Sequence, residues 1–160
     1  KLPPETGHLT NLIWLYLEGN QLSTLPPEIG QLTNLTGLSL RGIHFTALPS
    51  EIGKLTKLVY LKLGENQFTM LPPEIGKLTN LTWLYLEGNQ LTTLPPEIKK
   101  LTKLTELQIE RNPLTDEGLE HLKSLKSLKR LNLCETKITK TGVGSFKKAL
   151  PNCEIEVLRK

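Results

Sequence analysis

Leucines separated by polar residues come in short bursts that return at a fixed interval along the chain. In NLIWLYLEGN, residues 11–20, Leu12, Leu15 and Leu17 are followed by Asn20. The same LxxLxLxxN order recurs as Leu58, Leu61, Leu63 and Asn66, as Leu81, Leu84, Leu86 and Asn89, and as Leu104, Leu107, Ile109 and Asn112. Successive side chains of an extended strand point to opposite faces, so two aliphatic residues separated by one other share a face. The pattern predicts one short strand per unit, with Leu15 and Leu17 directed inward and Trp14, Tyr16 and Glu18 directed outward. Segments of the Pro-Pro-Glu-Ile-Gly type fall in register at 23-residue steps, at Pro26, Pro49, Pro72 and Pro95, with Pro3 one period earlier. Their paired prolines predict extended chain or short 3₁₀ turns.

Each unit is too small to bury its own leucines, so the units are expected to stack with strands parallel and about 4.8 Å apart, closing one continuous core. A fully buried leucine contributes about 1.5 to 3 kcal/mol, which makes the stacked leucines the dominant stabilising term. The asparagine after each strand both donates and accepts, and so can satisfy backbone groups where the chain turns inside the stack. Ile43 breaks this asparagine ladder and Thr136 replaces it once more. The turn around Ile43 is therefore expected to be the least well satisfied, in the weakest repeat.

After Asn112 the second half of the unit changes to LTDEGLEHLKSL, and after Thr136 to ITKTGVGSFKKALPN. Both read as helices. Thr115 is placed as an N-cap with Asp116 and Glu117 in the first turn, Leu119, Leu122 and Leu125 recur every third residue, and Pro151 ends the second helix. Cys153 to Val157 alternates apolar and acidic residues, as expected of a final edge strand protected by charge. The organisation predicted is a single domain over 1–160, with proline-type units in 1–112 and helix-containing units with a C-terminal cap in 113–160. At the other end the chain starts inside a unit, without an initiator Met or a signal-type apolar stretch. This start reads as a cut or processed end whose open core is covered by further residues or by another molecule, through which association can occur, and it carries no information on compartment.

The repeat resembles the leucine-rich repeat signature. The form GxLTNLTxLxLxxNQLTTLPPEI is similar to the 23-residue units of bacterial, and especially spirochaete, leucine-rich repeat proteins, and also to the Ras-group type of animals and plants. The last two units, with TDEGL, TKTGVGSF and LPNC, resemble a second bacterial type that carries convex helices. The resemblance covers the whole chain. It implies an α/β solenoid, right-handed and curved, with a parallel concave sheet and a convex side that changes from extended or 3₁₀ segments to helices. It also implies a non-catalytic binding scaffold, and for the spirochaete-like members a secreted or surface location and contact with host molecules.

Composition narrows the function classes. Thirty-five leucines stand against eight aromatic residues in 160 residues, so the core must reuse one aliphatic shape. No stretch approaches the roughly 20 apolar residues of a membrane helix. The net charge of +4 is uneven: residues 1–95 hold six Lys/Arg against seven Asp/Glu, and residues 96–160 hold fourteen against nine. Lys123, Lys126, Lys147 and Lys148 fall on the outer face of helical patterns and read as solvated, not as a nucleic-acid site. His8, His44 and His121 show neither metal-ligand spacing nor a cysteine at nucleophile–base spacing, so no metal and no cofactor is expected. Register places Cys153 in the core and Cys134 on an outward site, too far apart for a bridge. The sequons at Asn34 and Asn80 are by-products of the LTNLT repeat.

The candidate chemistry lies on the outward strand positions. Trp14, Tyr16, Tyr60, Trp83 and Tyr85 are all the Trp and Tyr residues in the chain, and all five fall there. Residues 80–98 nearly copy residues 11–29, differing only at Thr82 for Ile13 and Thr92 for Ser23, so the Trp-Leu-Tyr-Leu-Glu clusters ending in Glu18 and Glu87 are expected about 14 Å apart, with Tyr60 and Lys62 between them. Large rigid rings held in water are typical of interface hot spots. The face turns polar through Glu106, Gln108, Glu110, Arg130 and Asn132, and six strands span about 25 Å, which suits a protein or peptide partner. A glycan is the runner-up ligand. The rival functions are an intracellular scaffold and the substrate-recognition part of a larger enzyme.

Overall fold

The computed structural model describes residues 2–157. Seven three-residue strands, β1 (Trp14–Tyr16), β2 (Gly37–Ser39), β3 (Tyr60–Lys62), β4 (Trp83–Tyr85), β5 (Glu106–Gln108), β6 (Arg130–Asn132) and β7 (Glu154–Glu156), lie side by side in sequence order in one parallel sheet. Equivalent residues of successive units are paired without slippage, Leu38 with Leu61 and Leu61 with Leu84. Between the strands the Pro-Pro-Glu-Ile-Gly segments form 3₁₀ turns, such as Pro27–Gln31 and Pro73–Lys77, each entered from an extended proline. The expected solenoid is what forms.

The core is a stack of identical layers. Leu38, Leu61, Leu84 and Leu107 from the strands, Ile29, Ile52, Ile75 and Ile98 from the 3₁₀ turns, and Phe45 and Phe68 between them are almost entirely removed from water. At the β1 end Leu9 and Ile13 are exposed and Leu12 and Leu15 half-buried, because they have a neighbour on one side only.

The asparagine ladder works across units. Asn89 Nδ2 donates to Leu86 O at 2.9 Å in its own unit and to Leu63 O at 3.0 Å in the unit before, while its Oδ1 accepts from the Phe68 amide at 3.0 Å. This overturns the expectation at Ile43. That turn is satisfied from the next unit: Asn66 Oδ1 accepts from the Ile43 and Phe45 amides at 3.3 and 3.0 Å, and Asn66 Nδ2 donates to Leu40 O at 2.7 Å. Ile43 itself is buried. What its aliphatic side chain omits is service to the unit before it, where the half-buried Leu22 amide, equivalent to that of Phe45, finds no protein acceptor among the described residues. Thr136 keeps one of the asparagine bonds, donating from Oγ1 to Leu133 O at 2.8 Å.

Both C-terminal helices form. α1 (Asp116–Glu120) continues directly into a 3₁₀ turn, His121–Ser124, which agrees with the three-residue spacing of Leu119, Leu122 and Leu125. Thr115 occupies the N-cap position, but its side chain makes no capping bond. Asp116 reaches sideways instead: Oδ1 accepts from the Thr139 amide at 2.8 Å and Oδ2 from its hydroxyl at 2.6 Å. Thr139 in turn caps α2 (Lys140–Ala149), accepting from the Gly142 amide at 3.1 Å. The helical units are thereby tied cap to cap. The acidic–apolar segment at the end pairs as β7 beside β6, Cys153 is buried as expected, and both cysteines are free thiols.

Truncation of Leu84, fully buried in the central strand, to alanine is expected to destabilise the chain by about 2 to 5 kcal/mol. Met70→Ala, at a side chain 70% exposed, should stay within about 0.5 kcal/mol of wild type. Equilibrium urea unfolding of the two variants measures the contrast.

Candidate functional site

In-register pairing sorts the outward side chains of the sheet into columns that run across the strands. One column is Trp14, Gly37, Tyr60, Trp83, Glu106, Arg130 and Glu154, and the next is Tyr16, Ser39, Lys62, Tyr85, Gln108, Asn132 and Glu156. A third, just past the strand ends, holds Glu18, Arg41, Gly64, Glu87, Glu110 and Cys134. All the residues expected at the site therefore share one face.

The aromatic rings are not two islands. Trp14 stacks on Tyr16 with centroids 5.8 Å apart and planes 9° from parallel, and also meets Tyr60, two strands away, at 5.8 Å. Tyr60 meets Tyr85 at 5.4 Å. The bridge from β1 to β3 depends on Gly37, since a Cβ at that position would lie 1.9 Å from the Trp14 ring. Without a side chain at position 37, the indole lies across the strand and closes the gap. Tyr16, Trp14 and Trp83 remain 63%, 45% and 37% exposed, an ordered apolar surface in water.

The charged residues form a network in which two carboxylates depart from expectation. Glu87 and Glu106 fall on outward positions, yet each is only 8% exposed. Side chains on strands about 4.8 Å apart cover one another across the columns. Glu106 is a hub: its Oε1 accepts from Tyr85 Oη at 3.0 Å and Gln108 Nε2 at 3.1 Å, and its Oε2 pairs with Arg130 Nη2 at 2.6 Å. Glu87 lies in the notch left by Gly64, where a Cβ would meet its carboxylate at 2.2 Å. Glu18 accepts from the Ser39 hydroxyl and pairs with Lys62 Nζ at 3.3 Å. Arg41 lies 3.7 Å from Glu65 and 3.5 Å from Glu87, and Arg111 pairs with Glu65.

These environments move several ionisation equilibria. Burial pushes Glu87 and Glu110 above the ordinary carboxylate range. The Ser39 hydroxyl holds Glu18 below it, and the Thr139 side chain and amide do the same for Asp116. Burial, followed by the hydrogen bond to Glu106, pushes the Tyr85 phenol up to about 12. Burial raises the Cys153 thiol to about 11, far from a reactive thiolate. Among the described residues no cluster of His, Cys, Asp and Glu could hold a metal ion, and no helix is long and apolar enough to cross a membrane.

Gly37, Ser39, Arg41, Gly64, Glu65 and Arg111 belong to this site and escape a reading of single strands. Their signal is positional: Gly37, Ser39, Arg41 and Gly64 each sit a whole number of periods from a residue already singled out, and Glu65 and Arg111 lie two periods apart, one residue further along the unit. The glycines in particular act through what they leave uncovered.

A family model described as a leucine-rich repeat region matches residues 50–148, and a second, for the leucine-rich repeat itself, matches residues 11–32. Among solved structures, a leucine-rich repeat protein of Leptospira interrogans superposes with a TM-score of 0.91 at 41% identity over 98% of this chain. An internalin of Listeria monocytogenes superposes with a TM-score of 0.79 at 23% identity over 100% of the chain, a likeness of fold alone. The ectodomain of the Arabidopsis thaliana receptor kinase GASSHO1/SCHENGEN3, solved in complex with CASPARIAN STRIP INTEGRITY FACTOR 2, superposes with a TM-score of 0.75 at 28% identity over 99% of the chain. The chain spans 40%, 51% and 19% of the lengths of these three proteins. No curated protein matches it.

The shifted carboxyls have a pH signature. Glu87 and Glu110 hold their protons more tightly folded than unfolded, so their contribution to stability declines as pH rises from the ordinary value of 4.5 through their raised values. Glu18 and Asp116 act oppositely, and their contribution is lost as pH falls through their lowered values. The thermal midpoint is therefore expected to be higher near about pH 5 than near about pH 8, and Glu87→Gln with Glu110→Gln should flatten that difference. Thermal scans of the two chains across this range check it.

Proposed function

From the premise that the chain belongs to the leucine-rich repeat proteins, we propose that it is a non-catalytic scaffold whose outer sheet face captures a protein partner. The observation that carries this reading is the aromatic belt. Trp14, Tyr16 and Trp83 stay in water although the same chain has places to bury large apolar side chains, as it does with Phe45, Phe68 and Phe146. Holding rings out of the core forgoes the stabilisation that their burial would bring. Ring contacts hold Trp14 and Tyr16, and strand pairing fixes the backbone that carries Trp83, so little conformational freedom is lost when a partner lands on them.

The polar half beside the belt supplies orientation. Glu106, Gln108 and Arg130 are already bonded to one another and form a rigid rim of donors and acceptors next to the rings. An apolar patch adjoining a polar one matches the mixed composition of protein interfaces. The plant receptor ectodomain in its complex, similar in fold, supports protein recognition by such a scaffold. We further propose that the partner lies outside the cell, on host surfaces, as the resemblance of the repeats to spirochaete leucine-rich repeat units implies.

Replacing Trp14, Tyr16 and Trp83 together with alanine should leave the thermal midpoint nearly unchanged while weakening partner capture by about tenfold or more. Tyr85 is left intact because its hydroxyl bonds Glu106. Capture from host extracellular extract on immobilised wild-type and variant chains, read by mass spectrometry and then by direct affinity measurement, tests this. Equal capture by both chains would overturn the proposed site. Capture of carbohydrate instead of protein would shift the ligand to a glycan.

A further inference from the structure

We infer that the centre of the sheet face is a receptor for one arginine side chain of an extended peptide, taken up between Glu87 and Glu110 beside the rings of Tyr60 and Tyr85. This inference rests on the reading of the face as a binding surface and specifies what it binds.

A depression of about 400 Å³ opens there, with Tyr60, Tyr85, Glu87 and Glu110 in its lining. Its lining cations are already committed: Lys62 pairs with Glu18, Arg111 with Glu65, and Arg41 lies between Glu65 and Glu87. Glu106 is committed too, holding Arg130, Tyr85 and Gln108. What remains is Glu110, which forms no ion pair among the described residues, and one oxygen of Glu87. The network of Glu18, Glu65, Glu87, Glu106 and Glu110 thus has five carboxylates against the four cations Arg41, Lys62, Arg111 and Arg130, one negative charge in excess.

Glu87 is 92% removed from water and Glu110 is partly buried, and Oε2 of each has no hydrogen-bond partner among the described residues. A buried carboxylate oxygen left unpaired is costly, and native structures rarely leave one unless something else supplies the donor. Two carboxylate oxygens so placed suit a cation with several donors. Glu87 and Glu110 stand at equivalent positions on adjacent units, so a planar guanidinium can offer one edge to each carboxylate, which a compact ammonium does less well. Flanking phenol rings favour the same group, because guanidinium stacks on aromatic faces. Room for it is the depression itself, whose lining includes Glu87, Gln108 and Glu110.

The test titrates the chain with the capped peptide Ala-Ala-Arg-Ala-Ala and with the same peptide carrying citrulline, which keeps the shape and removes the charge. Amide chemical shifts in ¹H–¹⁵N NMR report the binding. Saturable binding of the arginine peptide is expected, at least tenfold tighter than citrulline, with the shifts centred on β4 and β5. Glu87→Gln and Glu110→Gln should each weaken it at least fivefold and together abolish it, with thermal midpoints at or above wild type showing intact folding. Glu117→Gln, on α1 and away from the sheet, should change nothing. Equal binding of citrulline, no saturation by about 10 mM, or unchanged affinity in the double variant would each overturn the inference. The larger reading fails separately: if the arginine peptide binds but loss of Trp14, Tyr16 and Trp83 leaves capture of the protein partner untouched, the aromatic belt is not the interface.

Discussion

Parallel strands held in exact repeat register constrain everything else in this molecule. Each residue has as its neighbours the equivalent residues one unit earlier and one unit later, so a choice made at one position of the repeat is felt as a column through the stack. In the inward columns this makes Leu38, Leu61, Leu84 and Leu107 mutual packing partners. In the turns it lets each asparagine serve the unit before its own, so that Asn66 satisfies the turn that lacks an asparagine. Outward, it assembles a surface from residues 23 or more positions apart. Stability and recognition therefore come from the same geometry, with leucine supplying the first and the intervening positions free to supply the second.

The architecture was legible because its cause is periodic. Leu15 and Leu17, spaced by two, identify a strand. The prolines at 26, 49, 72 and 95 identify the returning segments, and Leu119, Leu122 and Leu125 mark the change to helix. The site was legible only along each strand. That Trp14 and Tyr16 face outward follows from alternation, but that Trp14 touches Tyr60 depends on Gly37 in the intervening strand. Burial of Glu87 similarly depends on Gly64, a residue whose contribution is an absence. Thr115 had the right residue type for a cap, yet the contact that matters is Asp116 to Thr139, made between units. The misses share a cause: each is a relation across the stack rather than along the chain.

The charged network shows how such a face can carry ionisable groups at little cost and still retain one imbalance. Lys62 with Glu18 is a partly exposed pair of modest value, and Arg130 reaches in from solvent to the buried Glu106. Together they fix part of the sheet face and leave one oxygen each of Glu87 and Glu110 without a hydrogen-bond partner among the described residues. Ordered rings border these two carboxylates on one side. A surface so arranged is polarised before anything binds to it.

The near-identical segments at residues 11–29 and 80–98 spell the same Trp-Leu-Tyr-Leu-Glu, yet their side chains meet different fates. The first tryptophan lies down over a glycine, while the second stands beside a carboxylate engaged by three donors. Copying a unit in such a gene does not duplicate a receptor, because meaning resides in the seam between one copy and the next. Inheritance by tandem duplication can thus diversify specificity at once, before any codon inside the copied stretch has mutated.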